Sequence, residues 1–340
     1  MSLFRSTRTA AITAAALATI LAAVAPAFSE KLFDRIAAKR KESGVYDLSK
    51  DPASQVEDYV KTKNLEALKG LKRVVIPYFQ VEFAVENKAS AVGGGAWVKA
   101  SGRLSGVDQT VFESIADGFN DKLVADLKKL GIEVVPYEAL KENGNYQKMK
   151  AKFRPSPHML RTKDGYSLFY GPHGMPVYFR GNDDRLGGAS VFGEGFSTVQ
   201  PQNIEPGIGK DLDAAVLRVR MSVDIAKQHT SSSTFGGYAN AETRAQLGLM
   251  ADWTMMEFIT PGNGTARVWL GKYVNAAEPV LELVKNKEGT KFVDLSALGG
   301  SNGTDAKYAI VTTTEDYTRV VNQHLAAVQA MFLSVVKSSL

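Results

Sequence analysis

The feature that most restricts the fold is a regular amphipathic helix in the first half of the chain. It is predicted over residues 109–130, because apolar side chains recur there at steps of three and four. Those side chains are Phe112, Ile115, Ala116, Phe119, Leu123, Leu127 and Leu130. Asp108 is placed to cap the start of the helix, and Gly131 stands where a left-handed residue ends one.

This helix lies between two short runs typical of β-strands, at residues 73–79 and 132–135. A strand, a helix and a second strand in this order form a βαβ unit, which requires a parallel pair and a right-handed connection. Later strands are predicted to pair in antiparallel fashion. Pro261, Gly262, Asn263 and Gly264 form a strong turn signal, and it predicts a hairpin of residues 244–260 and 265–274. The sheet is therefore expected to be mixed.

Other segments extend this sheet. Residues 211–226 alternate between apolar and polar side chains, as do residues 79–86, so each is predicted to have one buried and one solvated face. Gly93–Gly95 is expected to be a hairpin end or a loop, and Lys307–Val311 one more strand. Thr312 and Glu315 form a capping box for a final helix. Its core-facing side chains are Tyr317, Val321, Leu325, Val328, Phe332 and Val335. The predicted class is α/β (α+β), with a mixed, mostly antiparallel sheet, a βαβ unit and packed helices.

The amino terminus has the three parts of a Sec-type signal peptide. Residues 1–9 contain Arg5 and Arg8 without an acid, residues 10–24 are apolar, and Ala25-Pro26-Ala27 has cleavage-site spacing. An uncleaved anchor is the alternative, but the stretch is alanine-rich and interrupted by Pro26. We expect a bacterial periplasmic or secreted protein. Its predicted organisation is a signal peptide at 1–29, an N-terminal helical segment at 30–70, and an α/β domain at 71–340.

Composition excludes several classes of protein. With 41 Lys and Arg against 36 Asp and Glu, the net charge is +5, and it falls to about +3 without Arg5 and Arg8, which is too small for an electrostatic nucleic-acid binder. The chain has no cysteine, which removes disulfides, thiol nucleophiles and cysteine-ligated metals. No stretch after the signal peptide is long and apolar enough to be a transmembrane segment.

Residues 154–209 form an unusual insertion, rich in proline, glycine and aromatic residues. Long loops are uncommon in compact domains unless they bind something or are disordered, and aromatic residues disfavour disorder. A hairpin of residues 166–170 and 175–180 is predicted here. Two interpretations stay open, because the rings could form a partner-binding surface or complete the core of the sheet. The candidate binding residues are Tyr166, Phe169, Tyr170, Tyr178, Phe179, Phe192 and Phe196.

Catalytic motifs are scarce. The histidines are His158, His173, His229 and His324, and none has a metal-ligand partner at helical spacing, so neither a metal nor another cofactor is expected. No G-x-S-x-G motif is present, and the G-x-G fragments open no apolar helix. Acid–base chemistry is conceivable if His158 or His173 meets Asp183 or Asp184. This combination defines the alternative function, a periplasmic hydrolase.

Several of these runs together resemble a known family. RVVIPYFQVEF, TVFESIADGFNDKLVADLKKLG and IEVVPYEAL are similar to the opening unit of the curli-secretion lipoproteins and of the amino-terminal domain of the Tol translocation protein. AVLRVRMSV, the hairpin LGLMADWTMMEF with ARVWLGKYV, and the closing helix resemble the rest of that class. The chain departs from it by lacking a lipobox cysteine and by inserting residues 138–209. The resemblance implies an α/β domain that works by protein association in the envelope.

We therefore expect an exported, non-enzymatic protein that acts through protein association in secretion, assembly or surface-structure biogenesis. Its expected partner is an envelope or secreted protein, with no nucleic acid involved, and self-association into a homo-oligomer stays open. A periplasmic hydrolase or a small-ligand binding protein is the alternative.

Overall fold

Helices packed on one large mixed sheet make up the part of the chain that the computed structural model describes. The described residues are 46–93, 96–150, 153–162, 165–178, 201–233, 238–251, 253–293 and 302–340. The predicted signal peptide lies outside them, and so does the predicted helical segment up to residue 45. Within these ranges, no helix combines the length and the apolar character that a membrane span needs.

The strands are β1 Val60–Lys63, β2 Arg73–Val75, β3 Phe79–Gly93, β4 Ala96–Ser105, β5 Glu133–Val134, β6 His158–Thr162, β7 Gly165–Tyr170, β8 Ala215–Ser233, β9 Tyr238–Leu249, β10 Met255–Thr260, β11 Gly264–Leu270, β12 Val274–Asn275, β13 Glu282–Val293 and β14 Asn302–Val311. The α-helices are α1 Val56–Tyr59, α2 Thr110–Lys129, α3 Tyr137–Lys141, α4 Gly144–Lys150, α5 Pro201–Asp211 and α6 Thr314–Ser339. Short 3₁₀ turns occupy Pro52–Gln55, Leu65–Leu68 and Pro172–Gly174.

The main path through the sheet runs β1-β11-β10-β8-β3-β4-β14-β13, and β2, β5, β6, β7, β9 and β12 attach to it from the side. Most pairs are antiparallel, whereas β2–β5, β2–β8, β3–β8 and β4–β14 are parallel. The predicted mixed, mostly antiparallel sheet is confirmed. The parallel pair of the predicted βαβ unit is confirmed, since Arg73 pairs with Glu133 and Val74 with Val134, but β3 and β4 lie between β2 and α2 in the chain.

Two long strands, β3 and β8, change partners halfway along their length. The first half of β8 pairs with β3 and β10, and its second half pairs with β9. The first half of β3 likewise pairs with β7 and β8, and its second half with β4. Register shifts mark both changes, at Ala84/Glu86 and at Asp224/Ala226. The second halves of β3 and β8, with β4, β9, β13 and β14, form an extension that we call the hairpin arm.

Helices α2 and α6 cover the apolar face of the sheet, as the sequence predicts. Phe83 of β3 stacks on Phe112 of α2 with 4.6 Å between ring centroids, and Phe112 meets Tyr317 of α6 at 5.7 Å. Both predicted caps of α2 are present. The Asp108 carboxylate accepts a hydrogen bond from the Thr110 amide at 3.0 Å, and Gly131 has a left-handed φ of +78°. All six core-facing residues predicted for the last helix are buried.

Some boundaries differ from the prediction. In the predicted helical segment 30–70, Asp51 caps the turn Pro52–Gln55, but the helix that follows ends at Tyr59 and Val60–Lys63 joins the sheet edge beside β11. Pairing with an existing strand outweighs the weak helix propensity of this short stretch. The last helix begins one residue late, with Thr313 accepting from the Asp316 amide at 3.1 Å. The hairpin around Gly262 is confirmed but shorter, because residues 238–249 form the separate strand β9.

The hairpin predicted inside the insertion is wrong. Strand β7 pairs with the upstream strand β6 and with β3, and residue 177 contributes only an isolated bridge to Arg154. The glycine-containing end of the insertion forms α5, although Pro206, Gly207 and Gly209 favour a loop. The complete burial of Ile208 in α5 explains why tertiary packing outweighs this propensity.

We expect Phe119→Ala to lower the free energy of unfolding by about 3–5 kcal/mol, since it leaves a cavity between α2 and β3. Val219→Ala, which removes less volume from the same layer, should cost less. Both residues are buried, so thermal melting compared with the exposed control Leu48→Ala checks the prediction. Unchanged melting of Phe119→Ala would mean that the helix phase is wrong.

Candidate functional site

The second face of the sheet was predicted to be solvated, and this is wrong for its central part. Arg218, Ser222 and Asp224 of β8 are buried, and so is Glu82 of β3. Burying charged groups in this way is costly unless they are paired and hydrogen-bonded. Each of these side chains accordingly has a partner on another element, so this face is a second, polar core.

Arg218 is the centre of this polar core. Its Nε donates to Glu205 Oε1 of α5 at 2.6 Å, and its Nη2 contacts Glu205 Oε2. Its Nη1 also donates to Glu257 Oε2 of β10 at 3.2 Å. The Tyr78 hydroxyl adds a hydrogen bond to Glu205 Oε1 at 2.8 Å. The side chains of Arg218 and Glu205 are 8% and 0% exposed, so the pair is shielded from water.

Two smaller clusters continue the polar core along β8. Ser222 donates its hydroxyl hydrogen to Glu82 Oε2 at 2.7 Å. Asp224 accepts from Asn87 Nδ2 at 2.6 Å and from the Tyr273 hydroxyl at 3.0 Å. Burial raises the pKa of the Asp224 carboxyl, although these hydrogen bonds oppose the effect. These bonds join neighbouring elements to β8, which is a structural role.

Helix α5 connects this polar core to the surface helix α4. At its end, Asp211 Oδ2 accepts hydrogen bonds from Asn143 Nδ2 at 3.1 Å and from Asn145 Nδ2 at 2.8 Å. The Asn143 side-chain oxygen in turn accepts from the amides of Asn145 and Tyr146, at 2.9 and 3.0 Å. Asn143 therefore caps the start of α4 and holds Tyr146 in place.

A groove of about 750 Å³ opens beside α3 and α4. Its aromatic side chains are Tyr137, Tyr146 and Phe153, and its cationic ones are Lys141, Lys150 and Arg154. Pro155 and Pro176 also line the groove and add apolar surface. The sequence prediction did not include this site. Its only sequence signal is the interleaving of basic and aromatic residues over positions 137–154, which ordinary exposed helices also show.

The two candidate catalytic histidines lie in different surroundings. His173 stands in the turn Pro172–Gly174, and its Nε2 lies 2.7 Å from Asp121 Oδ1 of α2. Its backbone amide donates to Asp117 Oδ1 at 2.6 Å, and its Nδ1 lies 3.7 Å from Asp117 Oδ2. Both ring nitrogens thus face carboxylates, which makes His173 a clamp between the turn and α2. His158 lies on β6, and burial, with Arg154 nearby, lowers its pKa.

The predicted aromatic binding residues are mostly inside the protein. Tyr166, Phe169, Tyr170 and Tyr178 are all buried. Tyr170 packs against Phe83 and Phe112, and Tyr178 against Tyr78 and Phe153. These four rings complete the core, so in this conformation they present no contact surface. Phe179, Phe192 and Phe196, like Asp183 and Asp184, lie outside the described residues.

The buried ion pair generates a prediction. We expect Glu205→Gln to lower the free energy of unfolding by about 3 kcal/mol, because it removes the main countercharge of a buried guanidinium. Denaturant titration measures the change. Glu138→Gln is the matched control, since Glu138 forms an exposed pair with Lys141, and the loss of such a pair should change stability much less. Equal effects of the two variants would contradict a stabilising role for the buried pair.

The His173 clamp should make stability depend on pH. The Asp121 hydrogen bond, helped by Asp117, raises the pKa of His173. A raised pKa in the folded state stabilises it fully below the ordinary histidine pKa, and this contribution is lost as pH rises through the raised value. The imidazole is 48% exposed, so the effect should stay below about 1 kcal/mol. We expect Asp121→Asn to lower the melting temperature more at pH 5 than at pH 8, and the reverse order would contradict the clamp.

No group of three or more histidine, aspartate or glutamate side chains within the described ranges could hold a metal ion. Comparisons of the chain with protein-family models, with curated proteins and with solved structures found no match. Any function assigned to the protein therefore rests on its own residues.

Proposed function

We propose that the protein is an exported, non-enzymatic protein of the bacterial envelope that associates with another envelope protein in secretion, assembly or surface-structure biogenesis. The observation that carries the proposal is the long outer strand of the hairpin arm. Strand β13 is the last strand on the main path of the sheet, and among the described residues it pairs only with β14. Within the described ranges no other strand pairs with its outer side, and this is where the proposal places a strand of another protein.

An open strand edge is a recognised route to protein association. Its outward N–H and C=O groups form hydrogen bonds with an added strand, while pockets and side chains on both faces give specificity. Glu282, Val284 and Lys285 of β13 are exposed, and Val284 is an apolar side chain at 43% exposure. Val284 offers an apolar contact to an added strand. The charged residues Glu282 and Lys285 beside it restrict which strands can pair there, as charges on natural edge strands do.

The signal-peptide pattern supports export, and the resemblance to the curli-secretion class supports association as the mode of action. The hydrolase alternative depends on His158 or His173 meeting Asp183 or Asp184, and these two aspartates lie outside the described residues. The proposal places the contact surface on the hairpin arm, because Tyr166, Phe169, Tyr170 and Tyr178 of the insertion are buried.

Site-specific photo-crosslinking in the native bacterium tests the proposal. A crosslinking residue at Glu282 should give a defined adduct with one envelope protein, and Val284→Lys in the same chain should reduce its yield several-fold. Leu48→Lys is the matched control, because Leu48 is 45% exposed and lies away from the arm in the sequence. Both substitutions are at exposed sites, so melting temperatures should not change.

The adduct mass separates a partner from a second copy of this chain. Either result supports association through the β13 edge. Absence of any adduct at position 282, or an equal loss with Leu48→Lys, would contradict the role of this edge. Recovery of the chain only from the cytoplasm, with Met1 retained, would contradict export.

A further inference from the structure

The groove beside α3 and α4 has an aromatic wall. Phe153 meets Tyr146 at 5.6 Å between ring centroids, and Tyr78 and Tyr178 at 6.1 Å each. Tyr137 meets Tyr146 at 6.1 Å. Phe153 and Tyr137 are only half-buried, so these two rings keep part of their surface in the groove. Flat apolar surface of this kind suits a ring on a ligand.

The groove is also positively charged. Lys141, Lys150 and Arg154 line it together with one acid, Glu142. Lys141 is already bound to Glu138 at 2.8 Å and lies over the Tyr137 ring. Lys150 and Arg154 are exposed and have no ion pair with any residue that the structure describes. Two cations are thus available to an anion, and the guanidinium can bind a carboxylate or a phosphate through two parallel hydrogen bonds.

A hydroxyl donor completes the set. The Tyr137 and Tyr146 hydroxyls lie 2.9 Å apart, and one of their two hydrogens suffices for the bond between them. The second hydrogen can be donated to a ligand. Burial raises the pKa of Tyr146, so its phenol keeps its proton at neutral pH. The site therefore offers more donors and positive charge than acceptors.

The Arg154 backbone and the Tyr146 ring are held in position before any ligand arrives. The Arg154 backbone forms two hydrogen bonds with Val177, with N···O distances of 2.9 and 3.0 Å. Tyr146 is fixed by the Asn143 cap at the start of α4, and that cap is bound to Asp211 of α5. Preorganised groups lose little conformational entropy on binding.

We propose that this groove binds a small organic acid in which a carboxylate or phosphate is attached to a ring. The anion is held by Arg154 and Lys150, and the ring lies against Phe153 and Tyr137. The volume of about 750 Å³ falls in the range of small-molecule sites. Such a ligand could be an aromatic acid or an acidic sugar, since both combine these two parts. This site is independent of the β13 edge, so either proposal can fail without the other.

Titrations of the purified protein test the site, followed by amide chemical shifts. The probes are benzoate and glucuronate as ring acids, benzyl alcohol and glucose as neutral rings, and acetate and inorganic phosphate as anions without a ring. We expect saturable shifts around residues 137–154 with at least one ring acid. Each neutral ring and each ringless anion should bind about tenfold more weakly or not at all.

Arg154→Gln should weaken binding of that ring acid about tenfold, because it removes a charged hydrogen-bond donor. Lys148→Gln is the matched control, since Lys148 lies on the same helix as Lys150 but does not line the groove. Tyr137→Phe should cause a smaller loss, because the ring stays and only a hydroxyl is removed. Unchanged melting temperatures show that the variants are folded.

Benzoate binding without glucuronate binding identifies an aromatic acid, and the reverse identifies an acidic sugar. Absence of saturable shifts with both ring acids up to about 10 mM would overturn the proposal, because weaker binding has no specificity. Equal affinity for phosphate and the ring acids would also overturn it, as would equal weakening by Arg154→Gln and Lys148→Gln.

Discussion

A buried positive charge at Arg218 determines much of this structure. A guanidinium inside the protein needs a countercharge and hydrogen-bond acceptors, and Glu205 of α5 supplies both. Helix α5 must therefore dock on the second face of the sheet, although its own proline and glycines disfavour a helix. At the end of α5, the Asp211 carboxylate accepts hydrogen bonds from the side-chain amides of Asn143 and Asn145, and these bonds position α4. The ion pair in the core therefore fixes α5, and α5 in turn fixes the helix that lines the groove at the surface.

The sheet is consequently buried on both faces in its central part, by different means. Helices α2 and α6 cover one face with apolar side chains, where shape and volume decide the packing. The other face combines the paired charges and hydroxyls of the polar core with an apolar cluster that includes Tyr78, Val216 and Ile208. Beyond the register shifts of β3 and β8, the sheet continues into the hairpin arm, where β13 forms the outer edge. The core and the proposed contact edge therefore belong to the same strands.

Local signals predicted the elements whose structure depends on local chemistry. The helix α2 with its two caps, the last helix, the turn at Gly262 and the parallel pair of β2 and β5 follow from spacing and turn residues. The polar core was missed because Arg218 and Ser222 alternate with apolar residues, as they would on a solvated face. Only the tertiary contacts with Glu205 and Glu82 reveal that the face is covered. For the same reason, α5 could not be predicted from its own sequence.

In the candidate site, too, features that depend on local sequence were predicted and features that depend on tertiary contacts were not. Sequence reasoning selected His173 but expected its acid at Asp183 or Asp184, whereas the structure places Asp117 and Asp121 beside it. These aspartates are four residues apart on α2 and share a helix face, but nothing local connects them to a turn about fifty residues later. The groove was missed because its walls come from two segments, and neither is distinctive alone.

The continuity of β3 and β8 has a mechanical meaning. Both strands run from beneath α2 and α6 into the hairpin arm, each through a register shift, so the arm and the core share these two strands. A flexible tether of glycine and serine would let the arm reorient independently, but paired strands resist bending. A strand added at the β13 edge would therefore extend the same hydrogen-bonded sheet that contains Arg218, and it would be joined to the core through paired strands.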